Sequence, residues 1–241
     1  MGRASTGQRL AQNLSGTMGG RRRFNPADYG TVALWLKADS LTGYEDEDVV
    51  DTWPDSSGNG NDATQGTFVK MPLYRTGQVS GMPALQFDGV DDSLFAALPI
   101  ERPYTALVVY KTATGSTTGR SLSGGSSNWL LGSYNGRNGH HYAGGFVTDI
   151  GARNNDSLPH IATAIGGTTS SRCYHDGSDV TTSDDPTGTW GSGLSVGSND
   201  GSNEFFFGLV LEVLVFSGAL SDTQRQAVEQ HLSQKYSITL S

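Results

Sequence analysis

Short apolar runs separated by polar, glycine-rich clusters dominate the chain from Thr31 onward. Runs at 32–36, 84–87, 106–110, 128–131, 160–165, 172–175, 193–196 and 208–216 read as β-strands, several with the two-residue alternation of a half-buried strand. Between them stand clusters of Gly, Asn and Asp at 55–61, 135–139, 176–177 and 199–201, residue types that enter turns readily. The Asp176-Gly177 pair has the spacing of a two-residue hairpin turn, where glycine accepts the positive φ that the turn demands. Eight or more such strands predict a two-sheet antiparallel sandwich. Helical periodicity is convincing at the C-terminal end, where Ala227, Val228, His231, Leu232 and Tyr236 recur near one face. Ser221 and Gln224 have capping-box spacing there, and Asp222 complements the positive end of the helix dipole. This pattern predicts a helix over 222–235, packed on the sandwich.

Composition agrees with the strand reading. Hydrophobic residues make up 35% of the 241 positions and Gly fills 33 of them, which favours many short strands over a helical bundle. No apolar run approaches the roughly 18 residues of a membrane span, so no membrane insertion is expected. Cys173 stands alone, which excludes an intrachain disulfide and a cysteine-rich zinc cluster, and its place in a strand predicts a small buried hydrophobe.

Charge divides the chain. Residues 1–24 hold Arg3, Arg9, Arg21, Arg22 and Arg23 and no acid, so a +5 leader precedes a remainder of −13 in a chain of formal charge −8. The leader has too few apolar residues to fold alone and lacks the continuous apolar stretch of a signal peptide. Residues 1–30 are therefore expected to form a basic N-terminal arm, followed by a body over 31–241. The arm reads either as a disordered leader or as an anchor that orders against a larger assembly, its five arginines pairing acidic surface. Three adjacent arginines ahead of an acidic body argue against a nucleic-acid partner.

Several segments also carry a resemblance. ALWLKADSL (33–41), TWPDSSGNGNDATQ (52–65), PALQFDGVDDSL (83–94), TALVVYK (105–111), YHDG (174–177) and FGLVLEVLVFSGALSDTQRQAVEQHLSQKY (207–236) follow one another in that order. Together they resemble the laminin-G-like, concanavalin A-like jelly-roll superfamily, nearest its bacterial and phage LamG-like modules, over almost all of 31–240. The resemblance implies an all-β fold: a two-sheet antiparallel jelly-roll sandwich with one C-terminal α-helix and an extended N-terminal arm. It implies roles as glycan-binding or adhesive modules, virion and cell-surface appendages and, occasionally, enzymes, many of them with a structural calcium ion. In FDGVDD, Phe87 and Val90 are expected to face the core while Gly89 permits a reversal that gathers Asp88, Asp91 and Asp92. A calcium shell and a turn closed by aspartate-to-amide hydrogen bonds both fit these residues. The oxygen donors Asp55, Asn59, Asn61 and Asp62 lack the EF-hand order and predict a tight loop.

Catalysis finds little support. Glycan hydrolysis requires two facing carboxylates, about 5 to 5.5 Å apart for a retaining enzyme, and the related glucanases carry a Glu-x-Asp-x-x-Glu type of signature in an apolar strand. Here Glu45, Asp46, Glu47, Asp48 and Asp51 lack apolar alternation and predict a solvated loop, while Glu212 is the single acid of its strand. No Gly-x-Ser-x-Gly elbow leads from a strand into a helix. Adjacent His140 and His141 would point to opposite faces of a regular strand and make a poor metal pair, and His175 is placed to pair with Asp176 or to cover a sheet edge. The expectation is a non-catalytic protein with no required cofactor beyond the candidate calcium.

For glycan binding, segment 127–142 concentrates Trp129, Tyr134, Asn135, Arg137, Asn138, His140 and Tyr142, which offer aromatic faces to sugar C–H surfaces and amides to hydroxyls. The same segment reads equally as two strands joined by an Asn-Gly turn, with Trp129 in the core. The combined expectation is a non-catalytic surface module of a larger assembly: a phage virion decoration, fibre or tail-associated protein, held on a capsid, tail or appendage scaffold by its arm. It would adhere to cell-surface glycans, occur in symmetric homo-oligomeric copies, and lie on a virion surface or extracellular appendage. A freestanding lectin and a polysaccharide hydrolase or lyase are the alternatives.

Overall fold

The structure is a computed structural model that describes residues 23–241. In chain order its strands begin with β1 (Val32–Lys37), β2 (Thr52–Trp53), β3 (Ala63–Thr64), β4 (Leu73–Val79) and β5 (Met82–Asp88). They continue with β6 (Leu94–Ala96), β7 (Tyr104–Thr112), β8 (Leu122–Gly124), β9 (Trp129–Tyr134) and β10 (Arg137–Ala143). The last are β11 (Pro159–Gly166), β12 (Ser171–His175), β13 (Ser178–Asp179), β14 (Leu194–Val196) and β15 (Phe207–Phe216), followed by helix α1 (Asp222–Tyr236). Two antiparallel sheets result, as the apolar pattern predicts. The first has the order β13-β12-β11-β7-β15-β5-β4 with β1 added beside β15; the second has the order β10-β9-β8-β14-β6-β3-β2.

Strand β15 organises the first sheet. Residues 208–216 pair with β7 on one edge, the register shifting between Val210 and Glu212, and the other edge is divided: 207–210 pair with β5 and 212–216 pair with β1. Both faces of this sheet are buried. In β7, Ala106, Val108 and Tyr110 enter the core between the sheets, whereas Leu107 and Val109 enter a second core with Val228, Leu232 and Tyr236 of α1. Burial on both faces is why β7 and β15 read as nearly continuous apolar runs. The molecule is thus three layers: second sheet, first sheet, helix.

Helix α1 starts where its sequence asks. Ser221 and Gln224 form the reciprocal capping box, and the helix ends one residue beyond the expected 222–235. Its buried side also contains Arg225 and Glu229, which pair with each other while Thr163 Oγ1 donates to Glu229 at 2.7 Å. The Arg225 guanidinium lies 3.6 Å from the centre of the Tyr174 ring. Turn chemistry is equally local: Asp176 and Gly177 both have positive φ between β12 and β13, and so do Asn135 and Gly136 between β9 and β10. Asp55 ties loop 55–62 to β1 by accepting from the amides of Trp35, Ser57 and Asn61, the tight loop that its composition predicts. Cys173 is buried, and burial raises its thiol pKa.

Two expectations change. The arm was expected to span 1–30, but Phe24 stacks on His231 with ring centres 3.7 Å apart, Pro26 is buried, and Phe24 and Tyr29 pack against the core beneath α1. Residues 23–30 therefore belong to the body; their aromatic side chains gain more from the helix than from water. Val90, expected in the core, is exposed, because the turn closed by Asp88 carries it outward. Among the described residues, no helix is long and apolar enough to cross a membrane.

Candidate functional site

Register across the second sheet defines a surface. Trp53, Ala63, Leu94, Ala96, Leu194, Val196, Leu122, Trp129, Leu131 and Ala143 all enter the core between the sheets. Their alternates must face outward. Thr52, Thr64, Phe95, Ser195, Ser123, Leu130 and Tyr142 consequently form one continuous cross-strand row on the outer face.

A turn crosses the middle of this row and is pinned to it. Ser123 Oγ donates to the Ser198 carbonyl at 2.6 Å, the Asp200 amide donates to Ser123 Oγ at 3.2 Å, and the Gly201 amide donates to Ser198 Oγ at 2.8 Å. Ser195 Oγ and Ser198 Oγ are 3.0 Å apart. These bonds explain why serines occupy the two central strands: each supplies a partner for a turn lying flat on the sheet. The turn splits the face into two polar cavities. One, of about 320 Å³, is lined by residues that include Thr64, Gln65, Lys70, Phe95 and Asp200. The other, of about 330 Å³, is lined by residues that include Arg120, Ser126, Asn128, Asn199, Asp200 and Ser202. Asp200 lines both, with a positive φ that turns it outward, and desolvation raises its pKa.

The second cavity is held by a fixed cation. Arg120 is buried, pairs with Glu204 and donates to Asn128 Oδ1 at 2.8 Å. Its guanidinium also lies 5.6 Å from the centre of the Tyr134 ring, and Phe146 packs 5.9 Å from Tyr134 and 5.0 Å from Tyr142. The half-buried rings of Tyr134, Tyr142 and Phe146 thereby cluster next to Arg120, outside the residues that line the cavity itself.

This arrangement divides the expected glycan residues. Tyr134 and Tyr142 sit beside the groove. Trp129, Asn138 and His140 do not: all three are buried, which corrects the expectation for them. Trp129 packs 4.9 Å from Trp190 and donates its indole N–H to Tyr104 Oη at 2.7 Å, completing the core. Asn138 accepts from Thr112 Oγ1 at 3.0 Å, and His140 Nδ1 lies 3.2 Å from Thr148 Oγ1. Burial pushes the pKa of both His140 and His141 down to about 4, so neither ring is charged at neutral pH. Asn135 forms the β9–β10 turn, and Arg137 holds the loop that follows through Gly151 O and Asn154 Oδ1, each at 2.7 Å. Phe95, Asp200 and Arg120 escape the sequence reading; the turn cluster at 199–201 and the strand at 193–196 are visible, but not β8, the other strand the turn crosses.

The remaining candidates resolve differently. Asp88, Asp91 and Asp92 do come together. Asp88 Oδ1 accepts from the amides of Val90, Asp91 and Asp92, and Asp92 Oδ2 accepts from the Asp88 amide at 2.9 Å, the turn-closing arrangement. Glu212 is buried, accepting from Trp35 Nε1 at 2.6 Å and from Tyr236 Oη and Lys235 Nζ at 2.8 Å each. Within the acidic run at 45–51, Asp46 accepts from the Thr76 amide at 2.8 Å and lies 3.3 Å from Arg75 Nε. Arg3, Arg9, Arg21 and Arg22 lie outside the described residues, and Arg23 is exposed beside Phe24 and Lys37.

No protein-family model matches the chain. No curated protein matches it. Solved structures do. Domain 4 of a GH43 extracellular arabinanase from Geobacillus stearothermophilus, in complex with arabinotriose, is similar with a TM-score of 0.60 and 16% identity, over 84% of this chain and 100% of that one. Trypanosoma rangeli sialidase in complex with sialic acid has a TM-score of 0.58 and 14% identity, over 85% of this chain. The binding domain of botulinum neurotoxin serotype D has a TM-score of 0.57 and 11% identity, over 83% of this chain. The match spans 33% of the sialidase and 52% of the toxin domain. At these identities the likeness is one of fold: a β-sandwich shared with modules found in proteins of different kinds.

Proposed function

We propose that this chain is a carbohydrate-binding module that uses the outer face of its second sheet. The observation that carries the reading is the pair of polar cavities joined by Asp200, bounded by Phe95 on one side and by Arg120 on the other, with the Tyr134 ring next to Arg120. A sugar offers alternating hydroxyls and C–H patches; an open carboxylate and amides suit the hydroxyls, and Phe95 and Tyr134 suit the C–H surfaces. Two fold neighbours, one in complex with arabinotriose and one in complex with sialic acid, support a saccharide as the ligand class.

The module is read as non-catalytic. Among the described residues Asp200 is the one carboxylate lining the two cavities, and hydrolysis by paired carboxylates needs two. Glu212 is committed to Trp35, Tyr236 and Lys235 on the side facing the helix. Attachment to a larger assembly, such as a virion or other surface appendage, is the context proposed for it, supported by the +5 charge of residues 1–24.

Glycan arrays followed by calorimetry test the binding claim. Arabino-oligosaccharides and sialylated glycans are the first ligands, and Phe95→Ala and Asp200→Asn should each weaken binding about tenfold, equivalent to ~1.4 kcal/mol. Unchanged affinity in both variants, or no saccharide bound at millimolar concentration, would refute the groove as the site.

A further inference from the structure

On the opposite sheet, His160 of β11 and His175 of β12 stand together, and Asp176 opens the turn after β12. The imidazole centres are 4.6 Å apart. His160 Nδ1 lies 2.6 Å from Asp176 Oδ2, and His160 Nε2 lies 2.8 Å from Asp156 Oδ1. His175 Nδ1 faces the same Asp176 oxygen at 3.5 Å. One donor atom from each of His160, His175 and Asp176 lies within 4.8 Å of the other two.

His175 is poorly satisfied. Among the described residues its Nδ1 has only that long approach, and its Nε2 is buried without a hydrogen-bond partner. Nδ1 is the His175 atom that faces the cluster and is open to a further ligand there. Two imidazoles and one carboxylate make a donor set suited to zinc-class ions, whereas calcium and magnesium prefer oxygen alone. Zinc bonds of about 2.0 to 2.2 Å place tetrahedral donors about 3.4 Å apart, which the His175–Asp176 pair already meets. The His160–Asp176 pair would have to open by just under ~1 Å.

The geometry points to a divalent transition-metal site of the zinc class, held by His160 Nδ1, His175 Nδ1 and Asp176 Oδ2, with the fourth position left to water. Without metal, His160 bridges the two aspartates through its two ring nitrogens. Binding replaces the Nδ1 contact to Asp176 by a bond from the Nδ1 lone pair to the ion, any proton on Nδ1 passing to solvent, while Nε2 keeps Asp156, which fixes the ring. The charges facing the site are the carboxylates of Asp156 and Asp176 and the guanidinium of Arg153. Arg153 is held by Asn138 O at 3.1 Å and Gly139 O at 2.9 Å, and Tyr110, 6.1 Å from the His160 ring, contributes no charge. Asp156 is exposed and marks the solvent side of the cluster.

The test is titration of the chelator-stripped full chain with Zn²⁺ in a calorimeter. One ion per chain and a higher Tm are expected. His175→Gln should abolish this binding, Asp156→Asn should weaken it about tenfold, and Asp92→Asn should leave it unchanged. Melting of the metal-free variants checks that they fold. Absence of saturable Zn²⁺ binding, or unchanged affinity in His175→Gln, overturns the site. Should His175→Gln fail to fold, X-ray absorption of the Co²⁺-loaded wild type decides instead: two imidazole ligands support the site, and fewer overturn it.

Discussion

Asp92 is buried at the end of the turn that Asp88 closes, and its carboxyl is pushed up to about 7. Desolvation is the larger cause, and the Asp88 charge adds to it. The sign follows from proton counting. Between about pH 4 and pH 7 the unfolded chain has lost this proton while the folded chain keeps it, so stability falls as pH rises through that window. Asp92→Asn keeps an oxygen for the Asp88 amide and removes the charge. It should raise stability at pH 8 by on the order of 2 kcal/mol and change little at pH 4. Denaturant melts at the two pH values read this directly, and equal effects at both would refute the buried-charge explanation. Millimolar Ca²⁺ in the same melts examines the calcium expectation, since an ion held by Asp88, Asp91 and Asp92 would stabilise the wild type most where Asp92 is ionised.

At the scale of elements, the joint between sheet and helix depends on Glu212. It sits in β15, yet its partners come from β1 and α1: the Trp35 indole, the Tyr236 hydroxyl and the Lys235 ammonium. Lys235 also reaches Asp39 at 3.0 Å, so removing the carboxylate leaves one cation with a weaker partner and two buried donors with none. Glu212→Ala should cost about 3 to 5 kcal/mol, the range for breaking a buried ion pair from one side. A loss below ~1 kcal/mol in chemical denaturation would contradict the clamp. The sequence singles out Glu212 as the lone acid of an apolar strand, but not the three donors gathered around it. Long strands such as β7, β11 and β15 are legible because their apolar runs are continuous, and α1 because its cap and period agree. Strands β2, β3, β6 and β8 span two or three residues, too few for any period, and Phe95, Ser123 and Ser195 become neighbours only through pairing between distant segments. The outer groove was therefore hidden, whereas the β9–β10 hairpin announced itself through Asn135-Gly136.

For the molecule as a whole, the boundary between arm and body moves from residue 30 to the neighbourhood of residue 23. Phe24 lies face to face with His231 and 6.3 Å from Trp35, and Tyr29 is 5.6 Å from Phe24. These rings cover the same core that α1 covers, so truncation before Phe24 and truncation after Tyr29 are different experiments. Deleting residues 1–22 should leave Tm within about 2 °C of the full chain, while deleting 1–30 should lower stability by ~2 to 3 kcal/mol through lost aromatic burial. If the proposed attachment through the arm is right, the first deletion also abolishes incorporation into the assembly without unfolding the sandwich, since it removes Arg3, Arg9, Arg21 and Arg22 and spares every described contact. Replacing those four arginines with serine separates charge from chain length: lost incorporation assigns the attachment to cationic pairing, and retained incorporation assigns it elsewhere. A 1–22 deletion that unfolds the protein would instead make the basic segment part of the body and remove the basis for reading it as a tether.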